Sequence, residues 1–297
     1  MTSMQGCATA IVTPFQDDGS LDLPALRALV DWQIEEGISY LVACGSTGEA
    51  QTLTPDERVQ VVATVIEQAA GRVPVMAGAT DNDTRRAVEE TRRMCGLGVS
   101  FILSAGPYYN KPTQEGLFRH FTAVADASTV PVCLYNVPGR SAVNLLPETV
   151  LRLTPHPNIA AIKEASGSVE QAMHIIQDRP DGFLVLSGED SLAVSLIAVG
   201  ANGLISVASN EIPKLMGWMV GWALEGRFSE STALLYHLLP LLEVNFVETN
   251  PAPVKAALAA MGKIRNVLRL PLVPLTESRL PLLVAALKKA GVEVAST

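Results

Sequence analysis

Short apolar runs recur along the first three-quarters of the chain, and more polar, amphipathic segments separate them. Each run is nearly continuous in hydrophobic residues rather than alternating, which is typical of strands that are buried on both faces of a parallel sheet. The pattern predicts eight such strands, at 8–12, 40–44, 73–77, 100–104, 130–135, 159–163, 183–187 and 203–207.

The segments between the runs carry the signals of helices. Thr54 and Glu57 suit an N-cap and its capping-box partner at the start of one segment. Apolar positions then repeat at helical spacing until Gly71, which suits a helix end. Ser168 and Gln171 mark a second helix start of the same kind. The predicted repeating unit is therefore strand, loop and helix.

Eight consecutive units of this kind match the size of a closed (β/α)8 barrel, in which the active groups lie on loops at the carboxyl ends of the strands. A doubly wound open sheet is the competing topology, but no predicted strand leads into a GxGxxG turn. We therefore predict an α/β fold with a (β/α)8 barrel over residues 1–225. A C-terminal helical domain over residues 226–297 follows, with predicted helices at 229–247, 251–261 and 276–290.

Composition and charge exclude several classes of function. The chain has 297 residues, of which 48% are hydrophobic and 18% charged, as in a compact protein with a large core. A formal net charge of −8 gives no basic surface for nucleic acid or anionic lipid. Glycines interrupt the apolar stretch 192–207, and the first residues lack the pattern of a secretory signal. We expect a cytoplasmic protein that binds neither nucleic acid nor a membrane.

The cysteines and histidines do not form a metal-binding pattern. The four cysteines lie far apart without a CxxC pair, which favours reduced and mostly buried thiols. The four histidines fall on predicted helices or in a proline-rich loop rather than in a cluster. We expect no metal cofactor.

Lys163 ends the apolar run 159–163, where burial of a charged ammonium is costly. Desolvation that penalises the charged form makes a lysine a usable amine nucleophile, which is the chemistry of Schiff-base enzymes. The alternative is a strand-end lysine whose stem packs against the sheet while its ammonium reaches water. The residues that follow other predicted strands favour the interpretation of Lys163 as a nucleophile.

Further candidate residues follow the carboxyl ends of other predicted strands, which meet at one mouth in a barrel. Two glycines flank Ser46 and Thr47, and such a loop offers free N–H groups to a small carboxylate, although it also suits a plain tight turn. The planar guanidinium of Arg140 suits a second carboxylate, and a surface cation is the alternative. Tyr135 ends the fifth apolar run. It is a candidate catalytic residue, and the alternative is a tyrosine that packs in the core with its hydroxyl hydrogen-bonded.

Seven segments carry a resemblance to a known family, in the order GSTGEAQTL, GPYYNKPTQEGL, YNVPGR, AIKEASG, LSGED, GLISV and NPAPVK. The sequence resembles the dihydrodipicolinate synthase / N-acetylneuraminate lyase family of class I aldolases over its whole length. The resemblance implies a covalent imine between a lysine and pyruvate, without a metal or other cofactor. It favours the synthase branch, which condenses pyruvate with L-aspartate 4-semialdehyde to 4-hydroxy-tetrahydrodipicolinate in lysine and diaminopimelate biosynthesis.

The resemblance also implies roles for individual residues. Lys163 would form the imine, and Tyr135 beside it would transfer protons. The Thr47 hydroxyl would link Tyr135 to Tyr109, which a neighbouring subunit contributes. The implied substrate-binding groups are the N–H groups of Ser46 and Thr47 for the pyruvate carboxylate, Arg140 for the aldehyde carboxylate, and Gly188 with the Ile205 carbonyl for the pocket wall.

Because Tyr109 would act across an interface, the active unit would be at least a homodimer. The resemblance favours a homotetramer built as a dimer of dimers.

Two alternative functions stay open at this stage. An N-acetylneuraminate or 2-keto-3-deoxy sugar acid lyase shares the imine chemistry, and Ser46 also occurs in the lyase branch, whereas Arg140 favours the synthase. A non-catalytic barrel that binds a small keto acid would have lost the nucleophile or the relay, but Lys163, Tyr135 and Thr47 are all present.

The resemblance predicts weak or absent inhibition by lysine. In lysine-inhibited relatives the effector lies at a subunit interface, near a carboxylate at the start of the third barrel helix and often near histidines. Here Arg86, Pro55 and Arg58 occupy the matching positions, although Asn82 and Tyr108 are retained. A cation repels the ammonium groups of lysine. In a steady-state assay, submillimolar lysine should leave the rate unchanged, and inhibition in that range contradicts the prediction.

Overall fold

The structure is a computed structural model that describes residues 3–294. Eight parallel strands follow one another around a closed barrel, and the last strand pairs with the first. The predicted (β/α)8 fold is therefore confirmed. The strands are β1 (Gly6–Ala10), β2 (Tyr40–Ala43), β3 (Val75–Gly78), β4 (Phe101–Ala105), β5 (Val132–Asn136), β6 (Ile159–Glu164), β7 (Leu184–Ser187) and β8 (Gly203–Ser206).

The predicted strand bounds differ from the observed ones by up to two residues. Ile11 and Val12, predicted as part of the first strand, lie beyond the end of β1 but are still fully buried. An apolar run in the sequence indicates which residues are buried, whereas hydrogen bonding to neighbouring strands defines where a strand ends. Buried residues can therefore extend beyond the strand.

Helices connect the strands, and three further helices follow the barrel. The predicted capping box is present, since Thr54 Oγ1 accepts from the Glu57 N–H and Glu57 Oε2 accepts from the Thr54 N–H. Ser168 likewise accepts from the Gln171 N–H. The helices are α1 (Leu23–Glu35), α2 (Pro55–Ala69), α3 (Thr84–Gly96), α4 (Gln114–Ala127), α5 (Pro138–Ser141), α6 (Pro147–Leu153), α7 (Val169–Asp178), α8 (Ala193–Ala198), α9 (Pro213–Leu224), α10 (Phe228–Val244), α11 (Ala252–Ala260) and α12 (Leu280–Lys289).

Two apolar layers build the core. The larger layer lies between the strands and the helices, and a smaller one fills the inside of the barrel. The large buried side chains of the inner layer include Tyr40, Met76, Phe101, Leu103 and Leu186. Because side chains fill the barrel interior, chemistry is confined to the mouth at the carboxyl ends of the strands.

The helices α10, α11 and α12 correspond to the three helices predicted after residue 226. The last of them is shorter than predicted, because a 3₁₀ turn at Glu277–Arg279 precedes α12. Leu238 of α10 and Leu283 of α12 join the larger apolar layer. The division of the chain into two domains at residue 225 stays a prediction. Within residues 3–294, no helix has the length and apolar character needed to cross a membrane.

A buried ion pair fixes the C-terminal helices to the barrel mouth. The Lys255 ammonium on α11 donates to Glu49 Oε1 at 2.6 Å, and both side chains are fully buried. The same ammonium donates to the Thr13 carbonyl at 2.9 Å. Arg269 donates its backbone N–H to Glu49 Oε2, and its guanidinium donates to both carboxylate oxygens of Glu57. Burial lowers the pKa of Lys255, and the Glu49 carboxylate opposes that effect. The loop after β2 is therefore held from outside the barrel.

Replacement of Lys255 alone should destabilise the fold strongly. In Lys255→Met the Glu49 carboxylate stays buried without its cation, so we expect the free energy of unfolding to fall by about 3–5 kcal/mol. Urea unfolding followed by circular dichroism measures the loss. The matched control is Glu49→Gln/Lys255→Met, which removes both charges and keeps an acceptor for the Arg269 N–H. The free energy of unfolding should fall clearly less in this double variant than in Lys255→Met. An equal fall in both variants contradicts the prediction.

Candidate active site

Lys163 and Tyr135 lie side by side on neighbouring strands near the barrel mouth. They are direct register partners on β6 and β5. Ala161 and Ala165, two positions before and after Lys163, belong to the inner layer, so the alternation of the strand places Lys163 inside the barrel. Lys163 is 5% exposed, and its Nζ lies 4.4 Å from the centroid of the Tyr135 ring. The amine thus lies against the face of a tyrosine.

Gly188 follows β7 and provides the space for the Lys163 stem. A Cβ atom at position 188 would lie 2.9 Å from Lys163 Cε and 2.6 Å from Ala165 Cβ, which is too close for real side chains. The glycine is therefore required for the position of Lys163.

The loop 45–49 after β2 presents free backbone donors. The Gly48 N–H donates to the Gly45 carbonyl and the Glu49 N–H donates to the Ser46 carbonyl, which closes the loop on itself. Among the residues that the structure describes, none accepts a hydrogen bond from the N–H of Ser46 or Thr47. Adjacent free N–H groups form a nest that suits a carboxylate.

Asn250 connects this loop with Arg140. Its Nδ2 donates to Thr47 Oγ1 at 2.9 Å, and its backbone carbonyl accepts from Arg140 Nη2 at 3.1 Å. Asn250 is not among the site residues predicted from the sequence. Asn250 belongs to the NPAPVK segment, which follows the barrel strands, and only the folded chain brings the segment to the mouth.

Two adjoining cavities open at the mouth. The smaller one has a volume of about 50 Å³ and borders Lys163, Tyr135, Thr47 and Asn250. The larger one has a volume of about 270 Å³ and extends away from Lys163. Residues that line both cavities include Ser46, Tyr135 and Arg140. Most of the predicted site residues therefore surround one connected space.

Two predicted site residues line neither cavity. Tyr109, in the loop after β4, has a left-handed backbone conformation with φ 73° and is 87% exposed. Ile205 is fully buried in β8, where it is the register partner of Ala8. The role of the Ile205 carbonyl stays a prediction, as does that of Tyr109 across an interface.

The two acidic residues after Gly188 have carboxyl groups whose pKa is raised. Burial raises the pKa of Asp190, although hydrogen bonds to its carboxylate act in the opposite direction. Burial also raises the pKa of Glu189, which lines the smaller cavity. Within residues 3–294, no three His, Cys, Asp or Glu side chains are arranged to hold a metal ion.

Comparisons with known proteins identify the family of the chain. Residues 3–290 match the model of the dihydrodipicolinate synthetase family. The 4-hydroxy-tetrahydrodipicolinate synthase of Koribacter versatilis is 51% identical over 97% of both chains. The structure of a chloride-inhibited dihydrodipicolinate synthase from Acinetobacter baumannii, complexed with pyruvate, superposes with a TM-score of 0.96 at 43% identity, over 98% of this chain and 100% of that one. A monomeric dihydrodipicolinate synthase variant superposes with a TM-score of 0.95 at 41% identity, over 97% of both chains.

With its closed barrel and a lysine and tyrosine paired at the mouth, the chain belongs to the dihydrodipicolinate synthetase family.

Proposed function

We propose that this chain is a lyase that condenses pyruvate with L-aspartate 4-semialdehyde to 4-hydroxy-tetrahydrodipicolinate, a step of lysine and diaminopimelate biosynthesis in the cytoplasm. The observation that carries the proposal is the buried Lys163 amine, which lies against the Tyr135 ring and borders the same cavity as the free N–H groups of Ser46 and Thr47. Relatives that are about half identical over nearly the whole chain bear the name of this activity.

The first step is formation of the imine. The neutral Lys163 amine attacks the keto carbon of pyruvate, and water leaves as the C=N bond forms. The N–H groups of Ser46 and Thr47 hold the pyruvate carboxylate, so that the keto carbon faces the amine. The protonated imine is itself the electron sink, and the proposed reaction therefore uses no metal or other cofactor.

The second step moves a proton from the pyruvate methyl group. The methyl carbon loses a proton, its bonding electrons neutralise the iminium nitrogen, and an enamine results. Tyr135 lies next to Lys163 and is the proposed proton carrier, with Thr47 passing the proton onward. The enamine carbon then attacks the aldehyde of the second substrate, and the aldehyde oxygen takes up a proton. Attack of that substrate's amino group on the re-formed iminium carbon closes the ring and breaks the bond to the Lys163 nitrogen, which leaves as the free amine.

Arg140 is the proposed binding group for that second substrate. Its side chain lies at the rim of both cavities, and the Asn250 carbonyl holds one of its nitrogen atoms. The remaining donors of the guanidinium suit the carboxylate of a short amino acid aldehyde.

We propose that the active form is a homo-oligomer in which each site receives Tyr109 from a second copy of the chain. Tyr109 is 87% exposed on the loop after β4, so its side chain is accessible to the site of a second copy. The larger cavity beside Tyr135 offers the space for that side chain. A homodimer is the minimal active unit, and a dimer of such dimers is favoured.

Borohydride reduction in the presence of pyruvate tests the imine. We expect one reduced pyruvate per chain, attached at Lys163 and absent from Lys163→Arg, because arginine stays protonated and is not nucleophilic. Intact-mass and peptide analysis locate the adduct, and the fully buried Lys255 is an internal control for selectivity. A condensation assay with aspartate semialdehyde runs in parallel. Absence of the adduct contradicts the mechanism, and an adduct with turnover of sugar acids alone contradicts the synthase assignment.

Mixing two inactive variants tests the shared site. Tyr109→Phe should lower kcat by about 100-fold, because a proton-transfer group is lost. Lys163→Arg is inactive for the reason given above. In a mixed oligomer, one site combines Lys163 of the first variant with Tyr109 of the second. Activity should therefore reappear after the two are mixed and refolded together. No recovery, although hybrids form by native mass spectrometry, contradicts the exchange of Tyr109 between subunits.

A further inference from the structure

We infer that Asn250 is a positioning residue that keeps the hydrogen of the Thr47 hydroxyl available to the proton relay. The inference rests on the proposed function, because it concerns the proton transfer that follows imine formation. Asn250 would not touch the reacting atoms and would act through Thr47.

The contact is buried and lies at the reactive cavity. Asn250 and Thr47 are each 4% exposed, and they border the same small cavity as Lys163 and Tyr135. The Asn250 Nδ2 to Thr47 Oγ1 distance of 2.9 Å is that of a good hydrogen bond. Among the described residues, Thr47 Oγ1 has no other hydrogen-bond partner. Asn250 therefore holds the hydroxyl before any substrate binds.

The chemistry of the two groups determines the polarity of this bond. An amide nitrogen only donates, whereas a hydroxyl has one hydrogen to donate and two lone pairs to accept with. Once Nδ2 occupies one lone pair, the hydroxyl hydrogen must point away from Asn250. The hydroxyl keeps one donor and one acceptor position for its partners in the relay. It can then donate to one tyrosine oxygen while it accepts from the other, which is the arrangement that a directed proton relay needs.

The backbone of Asn250 holds Arg140, whereas its side chain holds Thr47. The two contacts can therefore be tested separately. Arg140 Nη2 donates to the main-chain carbonyl of Asn250, not to its side chain. A change of the Asn250 side chain should thus disturb proton transfer and leave binding of the second substrate unchanged. A general loss of structure would disturb both.

The decisive variant is Asn250→Asp, which keeps the shape of the side chain and replaces the donor with a carboxylate that only accepts. The Thr47 hydroxyl then donates to the introduced carboxylate and has no hydrogen left for the relay. Asn250→Ala removes the contact and leaves the hydroxyl free to rotate. Asn158→Asp is the matched control, because the Asn158 amide donates to the carbonyls of Ala125 and Ser128, which do not line the two cavities.

Exchange of the pyruvate methyl protons in D₂O, followed by proton NMR, measures the affected step without the second substrate. The imine loses a methyl proton to the relay, regains a deuteron and is then hydrolysed, so the exchange reports imine turnover and proton transfer without carbon–carbon bond formation. We expect Asn250→Asp to slow the exchange and to lower kcat by about 100-fold, with a smaller loss in Asn250→Ala. In Asn250→Ala, which adds no charge beside the cavity, the borohydride adduct yield at saturating pyruvate and the KM for the aldehyde should match those of the unchanged protein. Asn158→Asp should behave like the unchanged protein in each assay.

Normal exchange and turnover in Asn250→Asp would overturn the inference, because the amide would then be the acceptor of the bond. A parallel loss of adduct yield and a rise in aldehyde KM in Asn250→Ala would also overturn it, since they indicate a general structural role. Failure of the unchanged protein to form the adduct or to exchange protons would instead contradict the proposed function.

Discussion

The buried ion pair between Lys255 and Glu49 is the interaction on which the proposed site depends. Neither side chain is exposed to water, so each charge relies on its partner and on nearby backbone groups to replace its lost hydration. Glu49 lies two residues after Thr47, and its carboxylate therefore fixes the loop that carries the free N–H groups. A helix that follows the barrel in sequence thus determines the shape of a loop at the barrel mouth.

The proposed nucleophile and the groups proposed to orient its substrates are positioned by different kinds of contact. Lys163 and Tyr135 are register partners in a closed sheet, where the strand ladder fixes their distance. The N–H nest and Asn250 belong to loops, and their positions depend on contacts between segments that are far apart in sequence. The sheet therefore fixes the position of the Lys163 amine, whereas the positions of the groups proposed to orient the substrates depend on the C-terminal segment.

The difference between contacts within the sheet and contacts between distant loops explains which features the sequence predicts well. The eight strands and the placement of Lys163 on the sixth follow from local patterns, because burial on both faces leaves a continuous apolar run. Strand ends are less accurate, since Ile11 and Val12 stay buried after β1 has ended. The contacts of Asn250 and Lys255 join residues 203 and 206 positions apart, and no periodicity records which distant loops meet. Tyr109 is only partly predictable from the sequence. A local motif identifies the residue, but its proposed site of action lies in another copy of the chain.

Gly188 has a consequence for how this barrel can acquire new substrates. Any side chain at that position would collide with the stem of Lys163 and with Ala165, so mutation there displaces the Lys163 amine before it can reshape the pocket. Arg140, in contrast, is exposed and is held only through one backbone carbonyl. Substitutions that preserve the position of the Lys163 amine are therefore easier to accommodate at the rim of the mouth than in the wall at Gly188.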